Sequence, residues 1–311
     1  MKKFLALLIA CLMIVTCFVA CDTGDTTDNG NDGADQSADG GDKNTGDENT
    51  GDENTGDENT GDENTGDGNK PEVSAKEYYT GKSCVTFGDS ITWYDGNAYN
   101  WGKEQGVVAT GYQHYMEEEL GLTIYNKGYS GQTMPQIMNN LKTFGDAFKS
   151  VDYLTIMSGA NDERRNTPLG TIAAKGSTFD TTTYIGSLQS GIEYALSYNS
   201  DLEIVLFTPI VGWIYAPAGY AYDYDKANSP TVDGIITEKW ADAVKEVAEL
   251  YGLTVCDLYN DCEIQYEIAD REAYMNDPEP PTNTLYSLHP NTAGYRKMAD
   301  TIIATFTDMI K

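Results

Sequence analysis

Histidine is scarce in this chain: 311 residues contain two, His114 and His289. A zinc centre would therefore depend on cysteine. The six cysteines form no CxxC pair, and none has a histidine nearby in sequence, so no metal is called for. Cys11, Cys17 and Cys21 fall in the first 21 residues. That leaves Cys84, Cys256 and Cys262, an odd number that allows at most one bridge, with Cys256 and Cys262 the closest pair. Positive charge is also in short supply, 20 Lys+Arg against 49 Asp+Glu, for a formal charge of −29. Each phosphate contact needs a cation to replace a released counterion, so nucleic acid is excluded as a partner and electrostatic docking on anionic lipid is disfavoured. After residue 20 no stretch is apolar enough to span a bilayer.

Three segments of different composition are present. Lys2 and Lys3 precede an apolar run from Phe4 to Ala20 that gives way to polar sequence after Cys21, the pattern of a secretory signal over residues 1–21. Its end, Phe18-Val19-Ala20-Cys21, resembles a bacterial lipobox, which implies acylation of Cys21 and a lipid anchor at the cell envelope. An uncleaved transmembrane anchor is the other reading, although 17 apolar residues are short for spanning. Both put the remainder outside the cytoplasm. Residues 22–76 hold 17 acids against three lysines, and Asn44-Thr45-Gly46-Asp47-Glu48 recurs at 49, 54 and 59. Nothing there offsets the entropy of ordering, so a disordered acidic tether is expected, and the repeat lacks the aliphatic position of a Ca²⁺-binding β-helix. Every tyrosine and tryptophan lies in residues 77–311, a length suited to one α/β domain.

Within that domain, Ser83–Phe87, Leu122–Tyr125, Tyr153–Met157, Leu202–Phe207 and Leu253–Cys256 are short apolar or β-branched runs bounded by Gly, Asn or Asp, and they are predicted as buried strands. Helical spacing follows over Tyr112–Leu120, Met134–Phe144, Thr182–Tyr198, Ile236–Tyr251 and the segment after Asn291. Five strands each followed by a helix imply a parallel, doubly wound sheet whose site lies at the carboxyl ends of the strands.

Those ends carry the chemistry. Gly88-Asp89-Ser90 follows the first strand, where a glycine allows a tight turn and a serine hydroxyl projects above the sheet at a helix N-terminus. Tyr129-Ser130-Gly131 follows the second, and Ser158-Gly159-Ala160-Asn161-Asp162 follows the third, with an amide able to donate to an oxyanion. His289, between a loop and Pro290, is the base a serine nucleophile needs near neutral pH, whereas His114 sits inside a helix and reads as a surface or partly packed residue.

These four segments, in this order, resemble the SGNH (GDSL-type) hydrolases. The resemblance implies a flavodoxin-like three-layer α/β/α sandwich, Ser90 as nucleophile, Gly131 and Asn161 with the Ser90 N–H as oxyanion hole, and His289 as base. In that family an aspartate usually stands three residues before the histidine, and here the position is Tyr286. Either His289 works in a dyad with Nδ1–H on a backbone carbonyl, the reading slightly preferred, or Asp277 or Glu279 from the preceding loop supplies the carboxylate.

The substrate is read from the loops. Gly212–Pro230 is rich in aromatics, Trp213 and Tyr215 among them, and Trp93 and Trp101 follow Ser90. Stacking on sugar faces and packing of a structural flap are both open. Arg164 and Arg165 are open between an anionic substrate group and a solvated pair. A tethered, acidic esterase with such loops is expected to take short-chain, chiefly acetyl, esters of carbohydrate without a cofactor. A lipase, lysophospholipase or thioesterase, and a glycan-binding lipoprotein without catalysis, are the alternatives.

Overall fold

Five strands, β1 (Ser83–Gly88), β2 (Thr123–Gly128), β3 (Tyr153–Met157), β4 (Glu203–Phe207) and β5 (Thr254–Cys256), pair in parallel in the order β2-β1-β3-β4-β5. This computed structural model describes residues 73–214, 238–265, 268–277 and 286–310. The signal segment with Cys21, the repeats, Tyr215 and Glu279 lie outside the described residues.

Side chains alternate across the sheet as the strand repeat of two requires. Val85, Phe87, Leu154, Ile156, Ile204 and Leu206 face one core, and Cys84, Tyr153, Met157, Val205 and Phe207 face the other. The first core is covered by α4 (Met134–Leu141), α6 (Tyr184–Tyr198) and α7 (Lys239–Tyr251). The second is covered by α1 (Ala75–Tyr79), α3 (Tyr112–Leu120) and α10 (Thr292–Asp308). The result is the three-layer α/β/α arrangement that the family resemblance implies, and it agrees with the alternation of strands and helices. α4 ends at Leu141, before the Phe144 its periodicity predicts, and Gly145–Ser150 beyond it winds into a 3₁₀ turn that packs Phe148 into the same core. At its start, α1 has a capping box between Ser74, inside the stretch expected as tether, and Glu77, just past it.

The three domain cysteines are buried free thiols, so the pairing offered by the closeness of Cys256 and Cys262 in sequence does not form. Burial pushes the Cys262 thiol up to about 11 and that of Cys256 up to about 12. Among the described residues, no helix is long and apolar enough to cross a membrane.

Candidate active site

Ser90 opens α2 (Ser90–Trp93), a four-residue helix set directly on the end of β1. Glycines at the strand ends make that approach possible. A Cβ at Gly128 would lie 2.2 Å from the Trp93 nitrogen, and one at Gly88 would lie 2.0 Å from Thr92 Oγ1. So short a helix leaves most of its backbone groups unpaired, and side chains take them up. Asp89 caps the start, its carboxylate accepting from the Ile91 N–H at 3.0 Å. The Tyr295 hydroxyl donates to the Ile91 carbonyl at 2.8 Å, and the Gln113 and Asn126 amides both donate to that of Thr92 at 2.8 Å. Asn97 donates to the Trp93 carbonyl at 2.6 Å. The helix that starts at Ser90 is thus held from α3, β2, the last helix and the turn at Asn97, and Ser90 is only 7% exposed.

His289 arrives from the other end of the chain. Its Nε2 lies 2.9 Å from Ser90 Oγ and its Nδ1 lies 2.9 Å from Asp277 Oδ1. The second carboxylate oxygen of Asp277 accepts the N–H groups of Leu288 and His289 at 2.6 and 2.8 Å. The structure therefore corrects the preference for a dyad: a fully buried carboxylate, not a backbone carbonyl, meets Nδ1. With the proton on Nδ1, Nε2 is free to accept from the serine, and the carboxylate stabilises the imidazolium that results.

Asp277 is held there by its neighbours. Met275 and Pro290 form an antiparallel bridge, and the Asn276 N–H donates to the His289 carbonyl at 2.8 Å. The side chain of Asn276 reaches the loop after α2, accepting from the Glu104 N–H at 2.7 Å and donating to the Trp101 carbonyl at 3.0 Å, while its own carbonyl accepts from Lys103. Gly102, at φ +96°, admits this contact, since a Cβ there would fall 2.5 Å from Asn276. The same loop brings aromatic rings to the histidine, with Tyr94 edge-on at 5.1 Å between centroids and Trp101 at 6.3 Å. Trp93, named from the sequence alongside Trp101, Trp213 and Tyr215, is half-buried and packs on the core.

Asn161 and Gly131 meet beside each other. The Asn161 amide donates to the Gln132 carbonyl at 3.2 Å, and its oxygen accepts from Arg164 at 3.4 Å. Gly131 adopts φ +74°, a conformation glycine takes without strain. Asp162 accepts from the Met134 N–H at 3.0 Å and from Ser158 Oγ at 2.7 Å, which ties the third motif to the start of α4. Burial pushes the Asp89 and Asp162 carboxyls each up to about 6; for Asp89 the Ile91 N–H, the nearby His289 and Asn161 pull the other way. The backbone of Trp213 pairs with Ser287 in a two-residue antiparallel ladder, joining the loop after β4 to the segment before His289.

Tyr94, Asn276 and Asp162 had no separate signal in the sequence. Their roles come from what they touch, and nothing in the sequence set Asp277 apart from Glu279 in the same loop.

The chain is similar to known proteins in its fold and over a family model. Among solved structures, a Chitinophaga pinensis protein described as a possible lipase is 22% identical, with a TM-score of 0.52 over 73% of this chain and 98% of its own. A Lactobacillus plantarum protein is 20% identical, with a TM-score of 0.55 over 75% and 99%. They share the fold. No curated protein matches. A pentapeptide-repeat model (8 copies) matches residues 37–70, in line with the five-residue period there. A model of the GDSL-like lipase/acylhydrolase family matches residues 86–297, a span that holds Ser90, Gly131, Asn161, Asp277 and His289. With that match over most of its length, the chain belongs to the GDSL-like lipase/acylhydrolase family.

Proposed function

We propose that this protein is an extracytoplasmic serine esterase that removes short acyl groups, chiefly acetyl, from polysaccharide and is held at the bacterial envelope by a lipid on Cys21. The observation that carries the chemistry is the unbroken line from Asp277 through His289 to Ser90, with 2.9 Å at each link. His289 takes the Ser90 proton as the hydroxyl attacks the ester carbonyl. The oxyanion is held by the N–H groups of Ser90 and Gly131 and by Asn161, which exchanges its 3.2 Å contact with the Gln132 carbonyl for the substrate. The imidazolium then protonates the leaving alcohol. Water, deprotonated by the same histidine, releases the acid and restores the serine.

The anchored location rests on the signal and lipobox, and the carbohydrate reading on the aromatics grouped around His289 and on the lack of long apolar stretches in the site loops. A lipase of the same family differs in chain-length preference: acetyl esters and acetylated xylan should be cleaved faster than octanoyl esters, and equal rates would sink the short-acyl assignment. A glycan-binding protein without turnover has no use for a complete Ser–His–Asp line. Ser90→Ala should lower kcat on p-nitrophenyl acetate by on the order of 10⁵–10⁶. An unchanged rate would overturn the catalytic reading.

A further inference from the structure

We infer that the site takes an ester bearing a carboxylate near the scissile bond, and that Arg165 binds that carboxylate. This deepens the esterase reading and rests on it. Asn161, Arg164 and Arg165 stand at i, i+3 and i+4 around the turn of α5 (Ala160–Arg164), the spacing that places side chains on one face. The two guanidinium groups thus lie on the side of the helix that carries the oxyanion amide. Arg164 is engaged with it, donating to Asn161 Oδ1. Arg165 instead extends over the neighbouring oxyanion glycine, with Nη2 3.7 Å from where a Cβ of Gly131 would stand. Its backbone is fixed by a 3.0 Å bond from its N–H to the Asn161 carbonyl. The next residue, Asn166, is the one non-glycine residue at positive φ among those described, and this turn ends the helix just beyond Arg165.

Arg165 shares the lack of a carboxylate partner with other described cations, Lys82, Lys127 and Lys175 among them, and its position over Gly131 is what distinguishes it. In a chain with more than twice as many acids as bases, carboxylates pair with Lys149, Lys239, Lys245, Arg296 and Lys297. Among the described residues no carboxylate pairs with Arg165, which is exposed. A guanidinium without a carboxylate, beside two oxyanion donors, offers a planar fork to an anionic oxygen pair. The domain's overall negative charge repels polyanions at long range, so the contact selects a single carboxylate at short range and should weaken with salt.

The carboxylate could sit on the alcohol or the acyl side, and two matched pairs separate these. One is 4-acetoxybenzoate against 4-acetoxybenzamide, and the other is the 4-nitrophenyl ester of adipic acid against that of its monoamide. The parent should prefer the anionic member of at least one pair. Arg165→Gln should lower that anionic-to-neutral ratio of kcat/KM by about 10- to 100-fold, the size of a lost charge-assisted hydrogen bond. Arg165→Lys should recover part of it. Lys175→Gln, a charge removed at a distant exposed site, should leave the ratio alone. A parent with no anionic preference, or equal losses on both members in Arg165→Gln, overturns the inference while leaving the esterase standing. If the parent cleaves none of the four esters, and phenylmethylsulfonyl fluoride fails to label Ser90 by mass spectrometry, the esterase reading falls with it.

Discussion

Nδ1 of His289 lies 2.9 Å from Oδ1 of Asp277, twelve residues earlier in the chain. This one contact turns a serine and a histidine into a three-membered line in a sequence that has tyrosine where a family aspartate is usual. It also makes the carboxylate testable apart from the base.

Asp277→Asn should reduce kcat on p-nitrophenyl acetate by about 10³–10⁴ with little change in KM, because the amide can stabilise the wrong tautomer and cannot stabilise the imidazolium. Steady-state kinetics on the folded variant check this. A loss below tenfold would mean that His289 works without the carboxylate.

Asn161→Ala removes one proposed oxyanion donor and should cost on the order of 10²–10³ in kcat while leaving KM close to that of the parent. Since Asn161 is buried and bonded to Gln132 and Arg164, a thermal melt must accompany the kinetics. A rise in KM with kcat preserved would place the amide in substrate binding instead.

The contact between Gly102 and Asn276 predicts coupling. Gly102→Ala puts a methyl 2.5 Å from both the side-chain amide and the backbone carbonyl oxygen of Asn276 and also strains a backbone at φ +96°, while Asn276→Ala removes the side-chain half of that contact and frees Glu104 and Trp101 from the Asn276 amide. Each single change should lower kcat by about tenfold or more, and the double variant should lose clearly less than the product of the two, as neighbours sharing one interaction do. A double-mutant cycle on kcat measures it, and strict additivity would show that the loop and the carboxylate are independent.

Asp89 and Asp162 predict how stability depends on pH. Both carboxyls are raised by burial to about 6 in the folded protein, against an ordinary value near 3.9 in the unfolded chain. Between about pH 4 and pH 6 the folded state therefore binds more protons than the unfolded one, so their contribution to stability falls as pH rises through that window and stays low above it. Asp89→Asn keeps an oxygen for the Ile91 N–H and removes one of the two penalties. Its melting temperature should exceed that of the parent at pH 8, and the gap should close towards pH 4. Melts across this range check the sign, and a constant gap would mean that Asp89 titrates alike in both states.

Much of this protein was legible in its sequence because the signals are local. A short apolar or β-branched run bounded by Gly, Asn or Asp, followed by helical spacing, repeats five times in the domain, and that alternation determined the parallel sheet and the end at which its site would lie. Ser90, Gly131, Asn161 and His289 were each marked by short motifs at those ends, where turn chemistry and helix starts leave their imprint within a few residues. Tertiary structure alone decided which side chains meet. No spacing rule selects Asp277, because its approach to His289 depends on a bridge between Met275 and Pro290 and on Asn276 fitting against a residue with no side chain. The choice of Trp101 over Trp93 beside the histidine is likewise a matter of how a loop folds back over the sheet, set by contacts between residues more than a hundred positions apart.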